Sequence, residues 1–177
     1  MSTLQHKIDF VALISVTMAN SNGDPLDGNR PRTDYNGYGE ISDVCIKRKI
    51  RNRMQDMGYK IFVQSEDHPG WDGYSSLESR AKALCDFRSP DDAEKACKTW
   101  LDVRSFGQVF ALSKELSKEK KDKKGVSVGV RGPVSIHTAT SISPIDVYSM
   151  QITKSVNGLE PKKGKRGDGE SENSDSP

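Results

Sequence analysis

The chain has 177 residues, enough for one domain, and its 33% apolar fraction against 29% charged predicts a small core with long polar excursions. A net charge of +2 excludes a globally basic nucleic-acid binder, so a polyanion site has to be argued from where the cations lie. No run approaches the roughly 18 apolar residues of a membrane span, and residues 1–10 carry no signal-peptide apolar core, so no membrane partner is expected. Cys45, Cys85 and Cys97 are odd in number, far apart and never in C-x-x-C, which predicts reduced thiols and a cytoplasmic protein.

Residues 7–18 (KIDFVALISVTM) alternate, with Ile8, Phe10, Ala12, Ile14, Val16 and Met18 on one face and Val11 and Leu13 adding apolar bulk to the other. That pattern predicts a central strand. A turn-rich loop follows, holding Gly23, Asp24, Pro25, Gly28, Asn29, Pro31, Gly37 and Gly39. Next comes a helix, with Ser42 and Asp43 where an N-cap belongs and Gly58 where a glycine stops it. Ile46, Ile50, Met54 and Met57 recur at helical spacing and are expected on one buried face.

Lys47, Arg48, Lys49, Arg51 and Arg53 crowd the rest of that helix. Lys47/Arg51 and Lys49/Arg53 are four apart and repel by about 0.2–0.5 kcal/mol per pair, a cost that an anionic partner removes. The loop adds Asn29, Arg30 and Arg32, and its glycines allow close backbone approach to a ligand. A glycine-rich loop feeding a basic helix is a phosphate-binding design; the alternative is a solvated basic face. Neither G-x-x-x-x-G-K-[ST] nor G-x-G-x-x-G is present, so the target is a polyanionic backbone rather than a nucleotide, and no cofactor is expected.

Residues 59–64 read as a short strand, and strand–loop–helix–strand opens a ferredoxin-like β-α-β-β-α-β unit, an α+β fold. Residues 65–74 are a turn-rich link. Helices are expected over 76–87, and from the Ser89-Pro90-Asp91-Asp92 start to about Leu101, burying Ala93, Ala96, Cys97 and Trp100. Residues 102–112 are partly apolar around Gly107, and 113–124 are a charge run expected to be a mobile loop. Residues 126–142 read as strand, Gly132-Pro133 break, strand, and 147–156 as a further strand with Lys154 near its end. From Gly158 the chain is polar, without periodicity, and expected to be disordered.

The run N-G-D-P-x-x-G-N-R-P-R-T-D from Asn22, followed by S-D-V-C-I-K-R-K-I-R from Ser42, resembles the opening of the backbone subunit of type I-C CRISPR surveillance complexes. That family belongs to the repeat-associated RNA-binding superfamily, and the resemblance extends more loosely to about Asn157. It implies an RRM-like, ferredoxin-like core (the palm) over residues 1–157, with a helical insertion at 65–101 and a projecting loop at 113–125. It also implies a C-terminal part that continues where this chain has a polar tail. Arg104, Phe106 and Gly107 match an Arg-x-Phe-Gly element of the palm, which admits either a turn on a buried Phe or an RNA contact from Arg104. Arg131 matches a V-R-G-P-V segment, which implies a phosphate contact.

The resemblance therefore implies a non-catalytic subunit that grips the phosphates of a guide RNA (crRNA). The expected contacts are Asn29, Arg30, Arg32, Lys47, Arg48, Arg51, Arg104, Arg131 and Lys154. Its partners would be further copies of itself, other CRISPR effector subunits, and a target DNA strand paired to the guide. Two alternatives remain: a metal-dependent endoribonuclease using Asp24 or Asp34, and a truncated remnant that no longer assembles. His6, His68 and His137 lie far apart, none at metal spacing from another ligand, so no metal site is expected. Asp24 in G-D-P is explained by an Asx turn without catalysis.

Overall fold

The computed structural model describes residues 4–70, 72–87, 89–112 and 126–153. The elements are β1 (Gly23–Asp24), β2 (Arg30–Pro31), β3 (Tyr38–Ile41), α1 (Asp43–Asp56), α2 (Leu77–Leu84), α3 (Pro90–Thr99), α4 (Leu101–Phe106), β4 (Gly107–Leu112), β5 (Val126–Arg131) and β6 (Ala139–Pro144). The α+β expectation holds. The strands form two-stranded sheets, β1 with β2, β3 with β6 and β4 with β5, and no four-stranded sheet is seen among the described residues. The chain divides into two compact units, Met1–Glu40 with Thr140–Pro177, and Ile41–Ala139.

The second unit holds an aromatic core. Phe62, Ala81, Phe87, Ala96, Trp100, Val103 and Phe110 are buried together. Phe110 stacks on Phe87 with centroids 4.0 Å apart and meets Phe62 edge-on at 5.0 Å. The helices around it follow their sequence signals. Ser76 and Ser89 each cap a helix through a capping box, and Pro90 sits in the first turn of α3. Ala96 and Trp100 are buried as expected, while Ala93 and Cys97 are half-buried. All three cysteines are free thiols, and burial, the largest influence on Cys85, pushes its thiol up.

Between α4 and β4 the chain turns at Gly107, with φ of 80°. A Cβ there would collide with the Val130 carbonyl oxygen, so only glycine lets β4 enter its six-residue register with β5, from Gly107↔Arg131 to Leu112↔Val126. The buried aromatic of this region is Phe110, at 2% exposure, rather than the half-buried Phe106.

Four strand expectations are corrected. Residues 59–64 are irregular, although Ile61 and Phe62 are 1% and 2% exposed. Side chains supply what a sheet would have supplied. The Asp102 carboxylate accepts from the N–H groups of Phe62 (2.7 Å) and Val63 (3.0 Å), Arg80 donates to the Phe62 carbonyl, and Arg48 donates to the Val63 carbonyl. Residues 7–18 form no strand and every residue from Leu4 to Asn20 is exposed, although Tyr148 Oη donates to Met18 Sδ at 3.1 Å. Residues 147–153 likewise pair with nothing as a strand, and the second strand expected within 126–142 forms instead at β6. The segments 113–125 and 158–177 lie outside the described residues.

Candidate nucleic-acid interface

In the first unit, residues 20–41 build a braced loop. Asp24 is its centre: its carbonyl accepts from the N–H of Asp27 (3.1 Å) and Asn29 (2.8 Å), and its Oδ1 accepts from the Leu26 N–H (3.0 Å) and from Arg32 Nη2 (3.4 Å). Gly28 and Asn29 both take positive φ, 55° and 59°, which closes the turn between β1 and β2. The Asn29 side chain lies over Gly23, where a Cβ would clash with it, and the Asn29 carbonyl accepts from Asn20 Nδ2. Asp34 holds the next turn, its Oδ1 accepting from the N–H of Asn36 (2.8 Å) and Tyr38 (2.9 Å). Asp24 and Asp34, the two acids considered for catalysis, are thus each engaged in holding a turn. Arg30 is exposed on β2, with Nη2 donating to Ser149 Oγ at 3.2 Å.

In the second unit, α1 starts where the sequence places it. Ser42 Oγ accepts from the Cys45 N–H at 3.2 Å, and Gly58, at φ 83°, donates to the Gln55 carbonyl. The rotation of the helix differs from expectation. No α1 residue is fully buried; Ile46, Ile50 and Met54 are half-buried, and Met57 is 59% exposed. The stripe tied to the rest of the unit is Arg48, Arg51 and Gln55. Arg51 Nε donates to Asp102 at 3.1 Å, and its guanidinium carbon lies 5.2 Å from the centroid of the Phe106 ring. Arg48 Nη2 donates to the Val63 carbonyl at 2.8 Å, and burial, seconded by Arg51, pushes its guanidinium down from the ordinary value. A buried carboxylate and a part-buried carbonyl require donors, and these arginines satisfy them.

The cations expected at the interface therefore fall into three groups. Arg48 and Arg51 face internal acceptors, Lys47 Nζ pairs with Asp43 at 3.1 Å, and Arg32 pairs with Asp24. Arg30, Arg104 and Arg131 are exposed, with Arg104 on α4 three residues before Gly107 and Arg131 opposite Gly107 across the β4–β5 ladder. Lys154 lies outside the described residues. Lys49 and Arg53, absent from the contacts expected on sequence, are both exposed and have no acidic partner among the described residues. The like-charge spacing was the signal for them. Of the two repelling pairs on α1, Lys47/Arg51 is relieved by Asp43 and Asp102, and Lys49/Arg53 is not. No group of His, Cys, Asp and Glu that could hold a metal occurs among the described residues.

What this geometry defines is an α+β chain whose uncompensated arginines and lysines stand on a helix face and at a turn between strands. Its residues 6–174 match the family described as CRISPR-associated protein Cas7. The chain belongs to that family. It is 28% identical over 139 residues to the CRISPR-associated protein Cas7 of Haloferax volcanii, a match covering 72% of this chain and 40% of that relative. The chain thus spans about two fifths of the length of that relative. The family match runs well beyond Asn157, where the resemblance read from sequence ends.

Proposed function

We propose that the chain is a non-catalytic backbone subunit of a CRISPR effector complex of the I-C type, binding the phosphates of a guide RNA. The observation that carries this reading is the exposed Lys49/Arg53 pair, whose mutual repulsion no described residue relieves, on a helix of a Cas7-family chain. Exposed Arg30, Arg104 and Arg131 would add phosphate contacts, joined by Asn29, Arg32 and Lys47 at the rims of the braced loop and helix. Arg48 and Arg51 would act as positioning residues that hold α1 in place. Phosphate contacts leave base edges free, so the guide could pair with a target DNA strand while further copies and other effector subunits assemble along it. An RRM-like palm would form when the unpaired segment 7–18 gains strand neighbours.

The test is binding of single-stranded repeat-derived RNA to the full chain across a salt series. Lys49→Ala with Arg53→Ala should weaken binding for every RNA sequence alike and flatten the salt slope by about 0.7 for each phosphate no longer neutralised. Unchanged affinity and slope would overturn the reading. RNA cleavage in Mg²⁺ by wild type, abolished in Asp24→Ala, would replace it with the ribonuclease alternative.

A further inference from the structure

Two turns of the first unit are built alike. Asp24 Oδ1 accepts the Leu26 N–H, and Asp34 Oδ1 accepts the Asn36 N–H, so an aspartate braces each turn from its first position. The second turn is the more tightly held. The Asp34 carbonyl accepts from the Gly37 N–H at 3.1 Å, the Asp34 N–H donates to the Tyr38 carbonyl at 2.9 Å, and Asp34 Oδ1 also takes the Tyr38 N–H. Gly37, at φ 82°, gives its carbonyl to the Ile145 N–H at 2.9 Å, which fastens the turn to the residue after β6. Each turn lifts one large side chain into water: Leu26 is 96% exposed and Tyr35 110%.

Turn chemistry accounts for Asp34 at the first position and Gly37 at the last. It does not account for Tyr35, whose position accepts most residues and whose ring covers nothing. Asp34 and Asn36 flank the ring with polar groups, so it does not sit in the apolar patch that a protein–protein anchor requires. Exposed Arg30 stands five residues earlier, and at most about 18 Å of chain separates the two. The acids of the loop are committed to their own turns, since Asp24 and Asp34 both hold backbone N–H groups. A cation for phosphate with an aromatic ring for a base is the combination by which proteins hold single-stranded nucleic acid.

We infer that Tyr35 is a stacking platform for one unpaired base of the RNA strand whose phosphate Arg30 meets. The inference rests on the RNA reading above and adds to it a contact that no cation supplies. The turn is already rigid and a tyrosine has only two side-chain torsions to fix, so little order has to be gained on binding. Every base has a π face, so the contact holds the strand without selecting a sequence. Leu26, almost as exposed on the sister turn, has no such face and serves as the internal control.

The experiment measures binding of the full chain to fluorescently labelled single-stranded RNA and to an abasic strand of the same length, which keeps the phosphates and lacks the bases. Tyr35→Ala should weaken RNA binding at least about fivefold, leave abasic binding within about twofold of wild type, and leave the salt slope unchanged, because no phosphate contact is lost. Tyr35→Phe should retain most of the affinity, since the ring and not the hydroxyl stacks, and Leu26→Ala should bind as wild type does. Equal losses on RNA and abasic strand, an equal loss in Leu26→Ala, or Tyr35→Phe as weak as Tyr35→Ala would overturn the inference. Normal RNA binding by Tyr35→Ala with loss of self-association in sedimentation would replace the base with a second copy of the chain. A wild type that binds neither strand would remove the RNA reading and this inference together, whereas a wild type that binds RNA and is matched by Tyr35→Ala removes the inference alone.

Discussion

Arg51 Nε donates to Asp102 Oδ2 across 3.1 Å, and the two side chains are 12% and 1% exposed. Asp102 also accepts the N–H groups of Phe62 and Val63, so one carboxylate ties α1, the irregular segment 59–64 and α4 together. Removing one partner of a buried pair leaves an uncompensated charge, and Asp102→Ala also strands two amides. Asp102→Ala is expected to cost about 3–5 kcal/mol and leave the second unit largely unfolded. Arg51→Ala should be destabilising in the same way, and urea titration checks both. An Arg51→Ala protein as stable as wild type would mean that Arg51 is free to serve RNA instead.

The contrasting prediction falls on the outer face of α1. Lys49→Ala and Arg53→Ala should each change stability by no more than about 0.5 kcal/mol, because both side chains are exposed and neither has an acidic partner among the described residues. Ile50→Asp, at a half-buried position, should cost more than either. Thermal melts of the three variants check the rotation of the helix, and equal shifts would contradict it.

These contrasts show which parts of the structure were legible in the sequence. The starts at Ser42 and Ser89-Pro90 and the stop at Gly58 were, because these residues act through local backbone chemistry that a short window contains, whereas α2 ends at Leu84, short of the expected Phe87, and α4 at Leu101–Phe106 was not expected. The rotation of α1 was not. Apolar spacing pointed to Ile46 and Ile50, whereas the inward stripe is set by Asp102, some 50 residues further on, whose demand for donors no local window reveals. The strand expected over 59–64 failed for the same reason, since its amides and carbonyls are met by Asp102, Arg80 and Arg48. For the proposed interface, composition pointed to α1, but choosing among its cations needed the acids that neutralise some of them.

Acid should loosen the link between 59–64 and α2. Burial alone would raise the Asp72 carboxyl, but it accepts from Arg80 Nε and Nη2, from the Tyr74 N–H and from Gln64, and these together hold it below the usual carboxylate range. A depressed folded-state pKa means stability that is present above the unfolded value of about 3.9 and lost as pH falls through the folded one. Wild type should therefore lose stability below about pH 4, while Asp72→Asn should be weaker at neutral pH and flatter through that acid window. Denaturant midpoints across pH check the sign, and parallel curves for the two proteins would remove Asp72 from the account.

The last prediction concerns residues 8–17. Val11 and Leu13 are 88% and 89% exposed, and Phe10 is 64% exposed, so a segment apolar on both faces meets water along its length. Leaving apolar surface uncovered forfeits roughly 25 cal/mol per Å², and an unpaired strand backbone invites pairing with another chain. In the isolated chain, Leu13→Lys should shift stability by no more than about 0.5 kcal/mol, amides 8–17 should exchange rapidly, and an apolar dye should bind. Addition of guide RNA with other effector subunits should protect those amides and displace the dye, because whatever binds the folded form stabilises it by mass action. Leu13→Lys should block that protection while leaving the free chain unchanged. A dye-silent isolated chain that melts cooperatively above about 60 °C would show that the segment is already covered, and the assembly would then have to be built from a different surface.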